Sequence, residues 1–86
     1  MPSSVGSLRK PIDPWLRAVG ENLRRERKAA SLTQEELAER AGLAPRVVQK
    51  IEAGRITILI STLRRLKIAL GCSYEDLLLE QRSLRR

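Results

Sequence analysis

The stretch from Leu32 to Gly42, L-T-Q-E-E-L-A-E-R-A-G, constrains the fold of this 86-residue chain more than any other. Thr33 is followed three positions later by Glu36, the capping-box spacing in which each side chain bonds the other residue's backbone N–H at a helix start. Leu32 and Leu37 stand at the positions of a hydrophobic staple, and Gly42 supplies the left-handed residue that ends a helix. The pattern predicts a short helix with both ends fixed by local chemistry.

A second short helix is predicted only a few residues later. Pro45 fits its first turn, Val48 and Ile51 form an inward i, i+3 pair, and Gly54 stops it. Ala44 takes the N-cap, where a Ser or Thr hydroxyl would stabilise the helix by about 0.5–2 kcal/mol. Two short helices joined by a glycine-marked turn form a helix-turn-helix unit.

Three further helices are predicted around this unit. Pro14 starts the first, which runs to about Ala30. Residues 55–61 have strand-like composition but no partner strand, so we assign them to a loop that leads into the next helix. A leucine series predicts the fourth helix, and a Ser73–Asp76 capping pair predicts the fifth. The apolar positions of the first and fourth helices are Leu16, Val19, Leu23, Ala30, Leu63, Leu66 and Leu70.

Chain length and composition indicate one all-α domain, a compact five-helix bundle containing the helix-turn-helix. The domain covers residues 13–80, between a flexible N-terminal arm at 1–12 and a basic C-terminal tail at 81–86. The chain has no Phe, one Trp and one Tyr. Its core must therefore consist of aliphatic side chains.

Charge and missing residue types restrict the function. Seventeen Lys and Arg against ten Asp and Glu give a formal net charge of +7, which favours a polyanionic partner. The absence of His and the single Cys exclude the usual zinc sites, His-based catalytic triads and an intrachain disulfide. We expect no metal, no cofactor and no catalysis. Without a long apolar run or a signal-peptide core, we also expect no membrane partner and a cytoplasmic location.

From Leu23 to Leu78 the chain resembles the lambda-repressor-like (Cro-type phage repressor) helix-turn-helix family. The resemblance implies a five-helix fold, double-stranded DNA as partner, and a homodimer on a palindromic operator that acts as a repressor or controller of transcription. The motifs that carry it are L-T-Q-E-E-L-A-E-R-A-G (32–42), V-V-Q-K-I-E-A-G (47–54), T-L-R-R-L-K-I-A-L-G (62–71) and S-Y-E-D-L-L (73–78).

The same resemblance implies which residues contact DNA. Arg and Lys are natural donors to guanine, whereas Pro and Val offer only apolar contact, so base readout is sparse and DNA shape gains weight. The candidates for base contact are Pro45, Arg46, Val47, Gln49 and Lys50. The candidates for phosphate contact are Thr33, Gln34, Arg55, Thr57 and Arg27.

Other positions are assigned to structure or to self-association. Arg27 and Glu52 resemble the family's ion pair between the first and third helices, and Arg64 and Arg65 are interpreted as a solvated face. Lys67 stands where the family packs a small apolar residue, which predicts a rotated helix or a looser core. The dimer-interface candidates are Tyr74, Leu78, Leu79, Ile58 and Leu59.

A second hypothesis belongs to a different class of function. Ile56, Ile58, Leu59 and Ile60 form an unusually apolar approach to the fourth helix, and exposed apolar surface indicates a protein partner. In this alternative the chain is an antitoxin whose main partner is a toxin protein, and DNA binding serves autoregulation. Co-purification with a tight partner would favour it over a homodimeric regulator.

Overall fold

Five helices follow one another along residues 13–80, the part of the chain that this computed structural model describes. They are α1 (Pro14–Ala29), α2 (Gln34–Ala41), α3 (Pro45–Glu52), α4 (Ile60–Leu70) and α5 (Tyr74–Leu78). No strand occurs among these residues. The predicted all-α bundle is confirmed, whereas the predicted arm and tail lie outside the described residues.

Local capping sets the helix ends much as the sequence predicts. At α2, Thr33 Oγ1 accepts the backbone N–H of Glu36 at 3.0 Å, and Glu36 Oε1 accepts that of Thr33 at 2.8 Å. Gly42, which ends this helix, has a φ of 71°, a left-handed conformation that costs glycine little. Two predicted bounds are wrong: α1 ends one residue earlier than predicted, and α4 begins at Ile60, inside the stretch 55–61 that was assigned to a loop. Ala30 is the C-cap residue of α1. Its side chain is exposed, whereas the sequence pattern predicted that it faces the core.

The core lies where α1 and α2 meet the other three helices. Helix α1 packs against α3 and α5, while α2 packs against α3 and α4. An aliphatic core follows from the composition, and its largest fully buried members are Val19, Leu23, Leu37, Val48, Ile51, Leu66 and Leu77. Helix α3 is thereby held on its inward side by both α1 and α2.

Lys67, the position predicted to rotate this helix or loosen the core, lies at the edge of the core beside Tyr74. The side chain is half-buried, and its Nζ lies 5.1 Å from the centre of the Tyr74 ring, within cation–π range. Its neighbour Leu66 is the α4 residue that is fully buried. Within residues 13–80, no helix has the length and apolar character needed to cross a membrane.

Candidate nucleic-acid interface

A turn of three residues, 42–44, connects α2 to α3. The backbone N–H of Leu43 donates to the carbonyl of Ala38 at 2.8 Å, which satisfies one of the open carbonyls at the end of α2. Ala44 is extended and its side chain makes no cap, as its sequence predicts. Pro45, which has no N–H to satisfy, then starts α3.

Helix α3 has one buried side and one exposed side. Val48 and Ile51 are 0% and 2% exposed. On the opposite side, Arg46, Gln49 and Lys50 are exposed, and among residues 13–80 their side chains have no hydrogen-bond partner or ion pair. Three unengaged polar side chains therefore project from the second helix of a helix-turn-helix.

The two apolar candidates for base contact differ in accessibility. Pro45 is exposed at the start of α3. Val47 is half-buried and packs against the core, so that only part of its side chain faces solvent. The α3 surface available to a ligand is therefore mainly polar and cationic.

A buried polar network fixes the far end of α3. Arg27 Nε donates to Glu52 Oε2 at 2.6 Å and its Nη2 donates to Glu52 Oε1 at 3.0 Å. A third donor, Nη1, bonds the carbonyl of Leu32 at 2.9 Å. The hydrogen bond to Glu52 raises the pKa of Arg27 above its ordinary value, so this cation stays charged. The predicted ion pair is present.

Two of the candidates for phosphate contact belong to this buried network, so fewer of their N–H groups are available to DNA. The Arg27 side chain is 11% exposed, and its Nε, Nη1 and Nη2 each already donate a hydrogen bond within the protein, so little of this guanidinium is available for the predicted phosphate contact. Gln34 Nε2 donates to Glu52 Oε1 at 3.0 Å, so one amide N–H of that side chain is already used. The other phosphate candidates are Thr33, Arg55 and Thr57, which are exposed.

Two contacts that hold the unit in place were missed by the sequence analysis. Gly20 lies in the middle of α1, and a Cβ there would overlap the carbonyl oxygen of Ile51 and lie 2.8 Å from that of Glu52. Only a glycine lets α1 approach the end of α3 so closely. Arg65, assigned to a solvated face, donates through Nη1 to the carbonyl of Gly42 at 3.2 Å and thus ties α4 to the turn.

At the opposite side of α1, polar side chains hold the short helix α5. Buried Asn22 donates through Nδ2 to the carbonyls of Leu77 at 2.9 Å and Leu79 at 2.7 Å. Trp15 Nε1 donates to the carbonyl of Leu78 at 3.2 Å. Arg25 donates to the carbonyl of Asp76 at 3.1 Å. We call these contacts the α1–α5 joint. They satisfy carbonyls that a helix C-terminus otherwise leaves open.

The five dimer-interface candidates fall into two groups. Tyr74 (40%), Leu79 (43%) and Leu59 (68%) are exposed. Leu78 and Ile58 are half-buried, and Ile58 packs against the core. The accessible part of the predicted interface is therefore formed mainly by the first three side chains.

One cluster beside the joint combines a thiol with two carboxylates. Potential ligand atoms of Glu26, Cys72 and Asp76 all lie within 4.8 Å of one another. Burial, helped by these carboxylates, raises the pKa of the Cys72 thiol. Because the thiolate is the form that binds metals and attacks electrophiles, this environment disfavours the reactive form of the cysteine.

The family model described as helix-turn-helix matches residues 23–77. A curated relative, the uncharacterized HTH-type transcriptional regulator y4dJ of Sinorhizobium fredii, is 39% identical over 59 residues, which make up 69% of this chain and 77% of the relative.

Solved structures with this fold include two regulators that exceed 30% identity. The restriction-modification controller protein C.AhdI from Aeromonas hydrophila has a TM-score of 0.70 and 32% identity, over 72% of this chain and 94% of that one. The clp gene regulator ClgR from C. glutamicum has a TM-score of 0.76 and 31% identity, over 87% of this chain and 96% of that one.

Proposed function

Because this chain belongs to the helix-turn-helix family of transcriptional regulators, we propose that it binds double-stranded DNA sequence-specifically, as a homodimer on a palindromic operator. Occupation of that operator controls transcription of the adjacent gene. The formal charge of +7 supports a polyanionic partner.

The observation that carries this proposal is the two-sidedness of α3. Its apolar side is fully buried through Val48 and Ile51, and its cationic side projects Arg46 and Lys50 without any partner among the described residues. The second helix of such a unit enters the major groove. An unengaged Arg or Lys there has donors that match O6 and N7 of guanine.

The remaining contacts divide between bases and backbone. Arg46 and Lys50 read guanine, Gln49 reaches a base edge or the backbone, and Pro45 touches an apolar base edge such as a thymine methyl. Val47 adds only the exposed part of its side chain. Thr33, Gln34, Arg55 and Thr57 contact phosphates, which position the protein without carrying sequence information.

Dimerisation through the exposed Tyr74, Leu79 and Leu59 would present two copies of α3 to the same face of the duplex. Side chains of this size bury substantial apolar area when a second copy covers them. In a two-fold dimer the half-sites lie about one helical turn, roughly 34 Å, apart. A palindromic site follows from that symmetry.

Selection of binding sites from random duplex DNA tests the proposal directly. We expect a palindromic consensus for the wild-type protein, and loss of preference at single base-pair positions, by about 1–3 kcal/mol each, in Arg46→Ala and Lys50→Ala. Arg17→Ala is the matched control, since it removes the same charge from an exposed site on α1. An unchanged consensus in both α3 variants would remove these residues from base readout.

The salt dependence of binding tests the electrostatic part. The logarithm of the binding constant should fall by about 0.9 per phosphate neutralised for each unit of the logarithm of salt concentration. A flat dependence would contradict DNA as the partner. A chain that selects no DNA sequence but co-purifies with a second protein would favour the interaction module instead.

A further inference from the structure

An open polar cleft lies beside α3, where α1 and the start of α2 come together. Its volume is about 430 Å³, large enough for a phosphodiester group with water around it. The residues that line it are Arg24, Arg27, Gln34, Gln49, Glu52 and Ala53. Three helices contribute, so the cleft exists only in the folded domain.

The unbalanced charge of this cleft is positive. The carboxylate of Glu52 is 5% exposed and accepts hydrogen bonds from both Arg27 and Gln34. Its charge is therefore compensated inside the protein. Arg24 is exposed, and the ion pairs within residues 13–80 are those of Arg25 and Arg27, so its guanidinium remains unpaired there.

The cleft lies next to the outer side of α3, the candidate DNA-binding surface. Gln34 borders it from the start of α2, and Gln49 borders it from the outer side of α3. When α3 lies in a major groove, the phosphates of the strand that edges the groove pass the start of α2. A phosphate at that place meets the cleft.

We propose that Arg24 binds a backbone phosphate of the DNA across this cleft and thereby adds α1 to the interface. The inference rests on the proposed function and extends it to a residue that is not among the sequence-based candidates for phosphate contact. An Arg guanidinium can bind a phosphate through two parallel N–H groups. Because Arg27 is buried and Gln34 already donates to Glu52, Arg24 is the accessible cation of this junction.

The chain offers a close control for this residue. Arg17 is also an exposed arginine of α1, seven positions earlier, and so lies on the same side of the helix about 10 Å farther from the cleft. Replacing either by Ala removes one charge and keeps a good helix former. Of the two, Arg24 lines the cleft and Arg17 does not.

The test compares wild type, Arg24→Ala and Arg17→Ala on the selected duplex over a range of salt. We expect Arg24→Ala to weaken binding roughly tenfold and to reduce the salt slope by about 0.9, while Arg17→Ala stays near wild type. The consensus selected by Arg24→Ala should be unchanged, because phosphate contacts carry no sequence information.

Neutral methylphosphonates placed one at a time in the duplex locate the contact. At one position per half-site, the neutral linkage should weaken wild type and Arg17→Ala but should have little further effect on Arg24→Ala, as coupled groups do in a double-mutant cycle. An equal effect of both arginine variants at every position would overturn the assignment, as would an altered consensus. A wild-type chain without salt-dependent DNA binding would overturn the proposed function as well.

Discussion

The outer side of α3 and the buried polar network at its end use similar side chains in opposite ways. Arg46, Gln49 and Lys50 make no hydrogen bond within residues 13–80. Arg27 and Glu52, which line the same cleft as Gln49, are engaged with each other through two hydrogen bonds. Nearness to the interface therefore does not tell which polar residue meets a ligand.

This difference shows how to tell structural side chains from binding ones. Polar side chains that bond other protein groups belong to the scaffold, and those without such a bond are available for a ligand. A buried charge without a partner is costly, so that breaking the pair of Arg27 and Glu52 destabilises the folded domain. An exposed charge is satisfied by water and can exchange that water for a ligand group. Substitutions in the two regions should accordingly change different measurements, stability in one and binding in the other.

The strongest test of this division is Glu52→Ala. It leaves the buried Arg27 guanidinium without its carboxylate, which should lower the free energy of unfolding by about 3–5 kcal/mol. Urea unfolding followed by circular dichroism measures it. Glu21→Ala on the exposed side of α1 is the control, with an expected change within about 0.5 kcal/mol. A loss below about 1 kcal/mol would mean that the pair behaves as an exposed one.

Asn22→Leu should have the next largest effect. It keeps a similar volume but removes both donors to the carbonyls of Leu77 and Leu79, which should cost about 1–3 kcal/mol. The single Trp15 bonds the neighbouring carbonyl, so its fluorescence reports whether α5 has detached. Glu21→Leu, one residue away and exposed, should leave both readouts unchanged. A stable variant with unaltered fluorescence would show that the joint contributes little.

The features that could be predicted from the sequence are those set by residues close together in the chain. The N-caps Thr33 and Ser73 each bond a residue three positions later in the chain. The sequence alone therefore predicts the starts of α2 and α5. The inward Val48 and Ile51 follow from helical period. These local rules were enough to predict the number and order of the five helices and the exposed side of α3, but not every helix end.

The contacts that escaped prediction join residues far apart in the chain. Asn22 reaches carbonyls 55 and 57 positions away, and Arg65 reaches Gly42 across 23 positions. A glycine in the middle of a helix, as at Gly20, is a signal for close packing, but it does not say against which element. The partial burial of Val47 likewise depends on the angle at which α3 meets the core.

The pH dependence of stability offers a finer test of the capping chemistry. The backbone N–H of Ser73, 2.9 Å from Asp76 Oδ2, holds the pKa of this carboxyl below its ordinary 3.8. A lowered folded-state pKa contributes stability that is present above the unfolded value and is lost as pH falls through the folded one. Asp76→Asn should therefore lose less stability than wild type between about pH 4 and pH 2. Parallel urea midpoints across that range would contradict this.

The smallest effects on stability are expected on the outer side of α3 itself. Arg46→Ala and Lys50→Ala should change the free energy of unfolding by no more than about 0.5 kcal/mol, since neither side chain contacts another described residue through a hydrogen bond or ion pair. Ala also favours the helix slightly, which can even raise the urea midpoint. A loss above about 1 kcal/mol in either variant would mean that these side chains belong to the scaffold. The base-contact surface would then shrink to Pro45, Gln49 and the exposed part of Val47, because a side chain held by the scaffold cannot exchange water for a base edge.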